Sequence, residues 1–114
     1  MSSEIYLRGV VFAKPEIGRT SSNEPSVKIL LLVEQIRKKN GFYAVDETIL
    51  PISCFGGPAT QAQSLRQDDR LVVQGHLFGT TFQPPNGSIR RSVQIRADEL
   101  ILLRHSAWPN QRVR

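Results

Sequence analysis

The sequence is poor in cysteine and in long apolar runs, and each shortage excludes a class of protein. A single Cys54 rules out an internal disulfide and suits a reducing compartment, so we expect a cytoplasmic protein. Nowhere do about 18 apolar residues follow one another, so no membrane span and no membrane partner are expected. Residues 1–4 contain no basic segment leading into an apolar run, which predicts that no signal peptide is present.

The residue types that build catalytic and metal sites are also scarce. His76 and His105 lie far apart, and with one cysteine they do not make a structural zinc site. Asp68 and Asp69 are adjacent, so in an extended chain they point apart and cannot act as an acid–base pair. No phosphate-binding Lys-Ser or Lys-Thr follows Gly56-Gly57. We therefore predict that the protein is not an enzyme and has no catalytic residue, metal or cofactor.

Positive charge is what the sequence has in excess. Its 114 residues include 15 Lys and Arg against 10 Asp and Glu, which gives a net charge of +5. Residues 58–114 carry a net charge of +4, and all eight basic residues there are arginine. Arginine both forks onto phosphate and stacks on bases, so this half favours nucleic acid as a partner. The alternative is a basic surface that only keeps the protein soluble.

Strand patterns dominate the chain, and a single helix is expected. Residues 16–26 contain Gly, Pro, Ser and Asn and predict a loop. Pro58 follows Gly56-Gly57 and suits the first position of a short helix. A bulge or tight bend is expected at Gly75, and a kink at Ala97-Asp98. The five runs rich in β-forming residues are 4–14, 27–36, 42–55, 70–82 and 88–103.

Five strands with one short helix between the third and the fourth are typical of an OB-fold. We therefore predict an all-β protein, a five-stranded Greek-key barrel over residues 1–104. SH3-like barrels and sandwiches have similar strand counts, and the position of the helix is what favours the OB-fold. A short basic tail over residues 105–114, which includes Trp108, lacks apolar periodicity and is expected to be a loose segment.

Three segments resemble bacterial single-stranded DNA-binding proteins. Residues 5–10 (Ile-Tyr-Leu-Arg-Gly-Val) are similar to the family's opening strand, in which an apolar-x-Leu-x-Gly segment precedes an acidic-proline turn, here Lys14-Pro15-Glu16. Residues 54–59 resemble the Phe-Gly-Lys-x-Ala segment that begins its helix. Residues 65–77 are similar to Leu-x-Lys-Gly-x-x-Val-x-Val-x-Gly-x-Leu. The resemblance covers roughly residues 4–103 and is comparable for the tail-less primosomal replication protein N.

The chain departs from this family at the positions that stack bases. Ile36, Ile49 and Phe82 align with tryptophans of the family, so one aromatic ring of the three is kept. Phe55 matches another aromatic residue that the family uses for stacking. The family's acidic, partner-recruiting C-terminus is replaced by a basic Asn-Gln-Arg-Val-Arg sequence. These departures indicate a specialised or mobile-element relative, or the primosomal branch.

Binding of single strands without sequence preference needs cations for phosphates and ring faces for bases. Phe82 lies at a polar strand end and is expected to be exposed, whereas Phe12 and Phe78 are expected in the core. Charge runs are usually only solvated faces, but two runs beside hairpin loops of one barrel favour a binding groove. The predicted site therefore comprises a basic loop, a second basic pair and two rings: Arg37, Lys38, Lys39, Arg90, Arg91, Phe55 and Phe82.

The predicted function is largely sequence-independent binding of single-stranded DNA in replication, recombination, or plasmid and phage metabolism. The alternative is an OB-fold adaptor of the primosome type that binds strands weakly, since two tryptophan positions are lost. The first strand is long, apolar and expected at a sheet edge, where it can pair with another copy. A homodimer or homotetramer is therefore expected, with single-stranded DNA and replication or primosome proteins as further partners.

Overall fold

A computed structural model describes residues 4–103, which consist mostly of β-strand. The predicted tail, residues 105–114 with Trp108, lies outside the described residues. In chain order the elements are β1 (Glu4–Val11), β2 (Glu16–Arg19), β3 (Pro25–Lys39), β4 (Phe42–Phe55), α1 (Gly57–Ala62), β5 (Arg70–Phe82) and β6 (Arg90–Leu103).

Five of these strands close into a barrel. They are hydrogen-bonded in the order β1-β5-β6-β4-β3, and β1 pairs back onto β3 around Val11. Strands β4 and β6 run parallel and join at Ile52–Ile95 and Ser53–Arg96, while the other pairs are antiparallel. The helix α1 follows the third strand of the barrel and precedes the fourth. The predicted OB-fold, with its short helix in that place, is confirmed.

The prediction of a loop over residues 16–26 is wrong at both ends, because β2 forms at Glu16–Arg19 and β3 begins at Pro25. This strand pairs antiparallel with the start of β3, from Glu16–Lys28 to Arg19–Pro25. All four of its residues are exposed, so no apolar alternation marks it in the sequence. This strand forms because it hydrogen-bonds to the edge of β3, and not because its side chains are buried. It is the sixth strand of the sheet and lies outside the closed five-stranded barrel.

The core fills the inside of the barrel with aliphatic side chains. Ala59 and Ala62 of α1 are fully buried against it. Phe12, expected in the core, is 44% exposed because it lies just beyond the end of β1. Phe78, also expected there, is half-buried on the outside of the barrel. The largest fully buried side chains are Val11, Ile29, Leu31, Ile52, Cys54, Leu71 and Val73.

A bulge lies where β5 and β6 cross the barrel. Gln74 pairs with Glu99 but Gly75 pairs with Ala97, which leaves Asp98 as the extra residue. Gly75 is required there, since a Cβ atom would collide with the carbonyl oxygen of Arg96. The bulge accounts for both sequence predictions, the bend at Gly75 and the kink at Ala97-Asp98. It also increases the local twist of the sheet.

Two hairpins extend past the barrel as two-stranded ribbons, exposed on both sides along most of their length. The β3–β4 ribbon comprises residues 34–47, and the β5–β6 ribbon comprises residues 79–93. In the first, only Asn40-Gly41 forms the turn, and both residues have positive φ, as a type I′ turn requires. Arg37, Lys38 and Lys39 therefore belong to β3 and not to a loop, which corrects the prediction.

Candidate nucleic-acid interface

Side chains that point away from the core form one continuous surface across β3, β4, β6 and β5. Ile29 and Leu31 point into the core, so the even-numbered residues of β3 point out, opposite odd-numbered residues of β4. In β5, Leu71 and Val73 point into the core, so its even-numbered residues point out. We call this surface the outer face; its main members are Lys28, Ile36, Lys38, Tyr43, Ile49, Ser53, Phe55, His76, Phe78, Phe82, Arg90, Gln94 and Arg96.

An arginine contacts two aromatic rings at the centre of the outer face. The Arg96 Cζ atom lies 3.6 Å from the centre of the Phe78 ring and 4.8 Å from that of Phe55. Strand β6 brings it there, because Arg96 pairs with Ser53 of β4 on one side and with His76 of β5 on the other. At these distances the guanidinium is attracted to the ring faces, and it holds both rings in place.

Two polar atoms beside these rings lack a partner. Arg96 Nε and Gln94 Oε1 are buried and make no hydrogen bond within the described part of the chain. Buried polar atoms in folded proteins are nearly always paired, so each of these atoms marks a place where a ligand or water supplies the partner. The site predicted from the sequence includes Phe55 but not Phe78, Gln94 or Arg96, because the contacts of these three depend on cross-strand register.

The β5–β6 ribbon places a ring and a cation opposite each other. Phe82 is 62% exposed and pairs directly with Arg90, so both side chains lie on the outer-face side of the ladder. Arg91 pairs with Thr81 and points to the other side. Of the two adjacent arginines in the predicted site, Arg90 is thus the one that accompanies Phe82.

The β3–β4 ribbon divides its three cations between its two sides. Lys38 lies on the outer-face side, with its Nζ atom 5.8 Å from the centre of the Tyr43 ring. Arg37 and Lys39 point to the opposite side. There the Arg37 guanidinium donates hydrogen bonds of 2.7 and 3.3 Å to the two carboxylate oxygens of Asp46, so part of its charge is neutralised.

The positions aligned with family tryptophans all lie on the outer face. Ile36 is 75% exposed and Ile49 is 43% exposed, and Phe82 completes the set. These three apolar side chains are exposed on one face of the sheet, where a ligand or a partner can cover them. The aliphatic residues provide apolar contact area at positions where the family has rings.

Cys54 and His76 are the cysteine and the histidine of the described range, residues 4–103. Burial raises the pKa of the Cys54 thiol to about 12, so it stays protonated and unreactive near neutral pH. The imidazole Nδ1 of His76 lies 3.0 Å from Asp98. Within residues 4–103 no group of three or more His, Cys, Asp and Glu is arranged to hold a metal ion. No helix in that stretch is long and apolar enough to cross a membrane.

Solved structures share this fold over nearly the whole described chain. A deletion mutant of the single-stranded DNA binding protein from Thermus aquaticus gives a TM-score of 0.79 at 17% identity, covering 89% of this chain and 50% of that one. The Plasmodium falciparum SSB, solved in complex with ssDNA, gives 0.74 at 20% identity, covering 91% and 97%. The small single-stranded DNA-binding protein from Streptomyces coelicolor gives 0.65 at 26% identity, covering 90% and 94%.

This chain spans about half the length of the Thermus aquaticus protein. No match was found among curated proteins. The model of the single-strand binding protein family, however, matches residues 2–103, which include all six strands and the helix α1. That match confirms the resemblance drawn from the three sequence segments. With the motifs, the barrel and the family match in agreement, the chain belongs to the single-strand binding protein family.

Proposed function

We propose that this chain is a non-enzymatic protein that binds single-stranded DNA with little sequence preference. The observation that carries the proposal is the outer face, where Phe55 and Phe78 flank Arg96 and Phe82 pairs with Arg90. Every base has a π-face that stacks on such rings, and cations alongside contact the phosphates whatever the sequence. Arginine suits both tasks, because its planar group stacks and donates to phosphate at the same time.

The predicted site residues take two roles in this proposal. Phe55 and Phe82 stack bases, and Lys38 and Arg90 lie on the same side of their ladders and contact the phosphates of the strand. The remaining three cations, Arg37, Lys39 and Arg91, point to the opposite side of the ribbons. Lys39 and Arg91 add to the positive field that attracts DNA and speeds its association, and Arg37 adds less because it pairs with Asp46.

The free edge of β1 supports the proposal of a homodimer. One edge of β1 pairs with β5, and the other pairs with β3 only at Val10 and Val11. Over residues 4–9 that second edge has no partner strand within the described chain, and Tyr6 beside it is exposed. A strand edge of this kind is a template for pairing with another copy. Light scattering that gives the monomer mass of 12.8 kDa at micromolar concentration would refute the dimer, with a tetramer as the next larger assembly.

We place this activity in the cytoplasm, where the protein would hold melted DNA during replication or recombination, or in plasmid and phage metabolism. Replication or primosome proteins are its proposed further partners. In this proposal residues 1–104 form the binding domain, and residues 105–114 are a short tail that includes two arginines.

Fluorescence anisotropy with a labelled oligo-dT strand at low salt tests the function. Binding at low micromolar protein or below, with much weaker binding of a duplex of equal length, is the expected result. Absence of oligo-dT binding at tens of micromolar protein would refute the proposal and leave the adaptor function. A titration against salt then separates phosphate contacts, which weaken with salt, from stacking.

A further inference from the structure

The outer face continues onto β2, where a cavity of about 270 Å³ opens beside Phe55. Register places its polar lining on one side of the sheet, since Glu16 pairs with Lys28 and Lys28 with Ser53. Gly18 pairs with Ser26, which in turn pairs with Phe55. Small residues thus form the floor, and a ring, a cation and a carboxylate form the walls. The residues on this side are Glu16, Gly18, Ser26, Lys28, Ser53 and Phe55.

The floor is open because residue 18 is glycine, although the backbone does not require glycine there. Its φ lies outside the left-handed region, and a Cβ atom would meet nothing closer than the Ser26 hydroxyl oxygen, at 3.6 Å. That distance is an ordinary van der Waals contact. A larger side chain at residue 18 is therefore compatible with the strand and would fill the cavity. A substitution there tests whether the cavity takes part in binding.

The walls carry complementary groups for one nucleotide. Phe55 offers a ring face, and Lys28 offers a charge for phosphate. The Glu16 carboxylate makes no hydrogen bond and no ion pair with any other residue in the described range. It repels phosphate and accepts N–H donors, so a nucleotide would bind with its phosphate toward Lys28 and its base toward Glu16. The cavity therefore orients the nucleotide as well as holding it.

A carboxylate distinguishes the bases by their donors. Cytosine presents an exocyclic amino group that Glu or Asp accepts, and adenine presents another. Thymine has no amino group, and its one ring donor, N3–H, lies between two carbonyl oxygens that repel a carboxylate. A base that stacks on Phe55 with its edge toward Glu16 is therefore held more tightly when it carries an exocyclic amino group.

We propose that this cavity is a base-selective subsite that prefers a base with an exocyclic amino group over thymine, with Glu16 as the specificity-determining residue. The inference rests on the proposed binding of single-stranded DNA. It adds a mild preference at one nucleotide position to a surface that is otherwise tolerant of sequence.

Anisotropy titrations with oligo-dC, oligo-dA and oligo-dT of one length test the subsite on the full chain. Intrinsic differences between these strands cancel when the dC/dT and dA/dT affinity ratios of Glu16→Gln are compared with those of the wild type. A glutamine amide both donates and accepts, so it serves thymine as well. We expect both ratios to fall about five- to tenfold in Glu16→Gln, in keeping with the loss of one charged contact to a base edge.

A matched pair of glycine variants tests the cavity separately. Gly18→Val fills the floor and is expected to lower both ratios in the same way. Gly79→Val is the control, because Gly79 also lies in a strand but outside the cavity, and a Cβ atom there would come no closer than 4.0 Å, to the Ser92 carbonyl oxygen. Its ratios should equal those of the wild type.

Unchanged ratios in Glu16→Gln, with normal oligo-dT binding, would overturn the subsite and leave the proposed function standing. Failure of the wild type to bind any of the three strands would overturn both. A fall in the ratios with Gly79→Val as large as with Gly18→Val would show that the effect does not come from the cavity.

Discussion

The closed barrel and the ribbons that project from it are made of the same strands under different physical conditions. Inside the barrel every second residue of β3, such as Ile29, is buried, whereas Ile36, on the outer face of the ribbon further along the same strand, is 75% exposed. The hydrogen-bonded ladder with β4 continues without a break from one region to the other. Apolar residues therefore stabilise the fold in the barrel, while on the ribbons the same residue types remain available to a ligand.

Replacing one isoleucine in the barrel and one in a ribbon should give the largest expected difference, a difference in the free energy of unfolding. Ile29→Ala should lower the free energy of unfolding by about 2–5 kcal/mol, because it opens a cavity in a packed core. Ile36→Ala, a matched change in the same strand, should alter stability by less than about 0.5 kcal/mol. Thermal or denaturant unfolding measures both effects. Equal losses of stability would contradict the division between barrel and ribbon.

Phe82→Ala tests whether a ribbon ring acts in binding. Oligo-dT affinity should fall by about 1–3 kcal/mol for each base stacked on the ring, and the melting temperature should stay nearly unchanged. The opposite pattern, with intact binding and about 3–5 kcal/mol of lost stability, is expected of a buried phenylalanine. That result would remove Phe82 from the interface.

Cys54 probes how well the barrel excludes water. The native state keeps the thiol protonated up to a pKa of about 12, while the unfolded state loses the proton near 9.0. The unfolded state therefore binds fewer protons above pH 9, and stability should fall as pH rises, by about 1–2 kcal/mol at pH 10 from this group. Denaturant curves at pH 8 and 10 measure the fall, and it should be smaller in Cys54→Ala. An identical pH dependence in both proteins would show that the thiol is not shielded.

The smallest expected difference is in the salt dependence of DNA affinity, between variants of two neighbouring cations of the β3–β4 ribbon. Lys38 lies on the outer-face side and makes no ion pair within the described residues, whereas Arg37 pairs with Asp46. If Lys38 neutralises one phosphate, the slope of log affinity against log salt should be less steep by about 0.7 in Lys38→Gln. Arg37→Gln should change the slope less. If Arg37→Gln changed the slope more than Lys38→Gln, the bound DNA strand would lie on the opposite side of the ribbon.

Sequence patterns predicted the barrel well because burial leaves a periodic trace. The long strands alternate or run apolar where they cross the core, and the glycine at 75 and the break at Ala97-Asp98 marked the bulge. Strand β2 left no such trace, because all four residues from Glu16 to Arg19 are exposed. For the same reason the sequence predicts a loop at Arg37–Lys39, although these residues pair with β4 as part of a strand.

The candidate interface was predicted only where it depends on neighbouring residues in the chain. Phe82 follows a polar strand end, and its exposure could be expected from its neighbours. The contacts of Arg96 with Phe55 and Phe78 require three strands in a particular register, shifted by one residue at the bulge. Cross-strand register of this kind depends on the closed barrel as a whole, so no local pattern could indicate it.

The pairing of β1 with β5 also determines when the barrel can close. Val10 pairs with Arg70 and Glu4 with His76, so the partners lie 60 to 72 residues apart in the chain. The β3–β4 and β5–β6 hairpins join neighbouring segments and need little loop closure, whereas pairing over such a separation is slow. We therefore expect both hairpins to form first and closure to limit folding, on the millisecond-to-second scale of all-β domains. On the ribosome, β1 emerges well before its partner strand β5, so the apolar residues of β1 stay exposed until β5 has been synthesised.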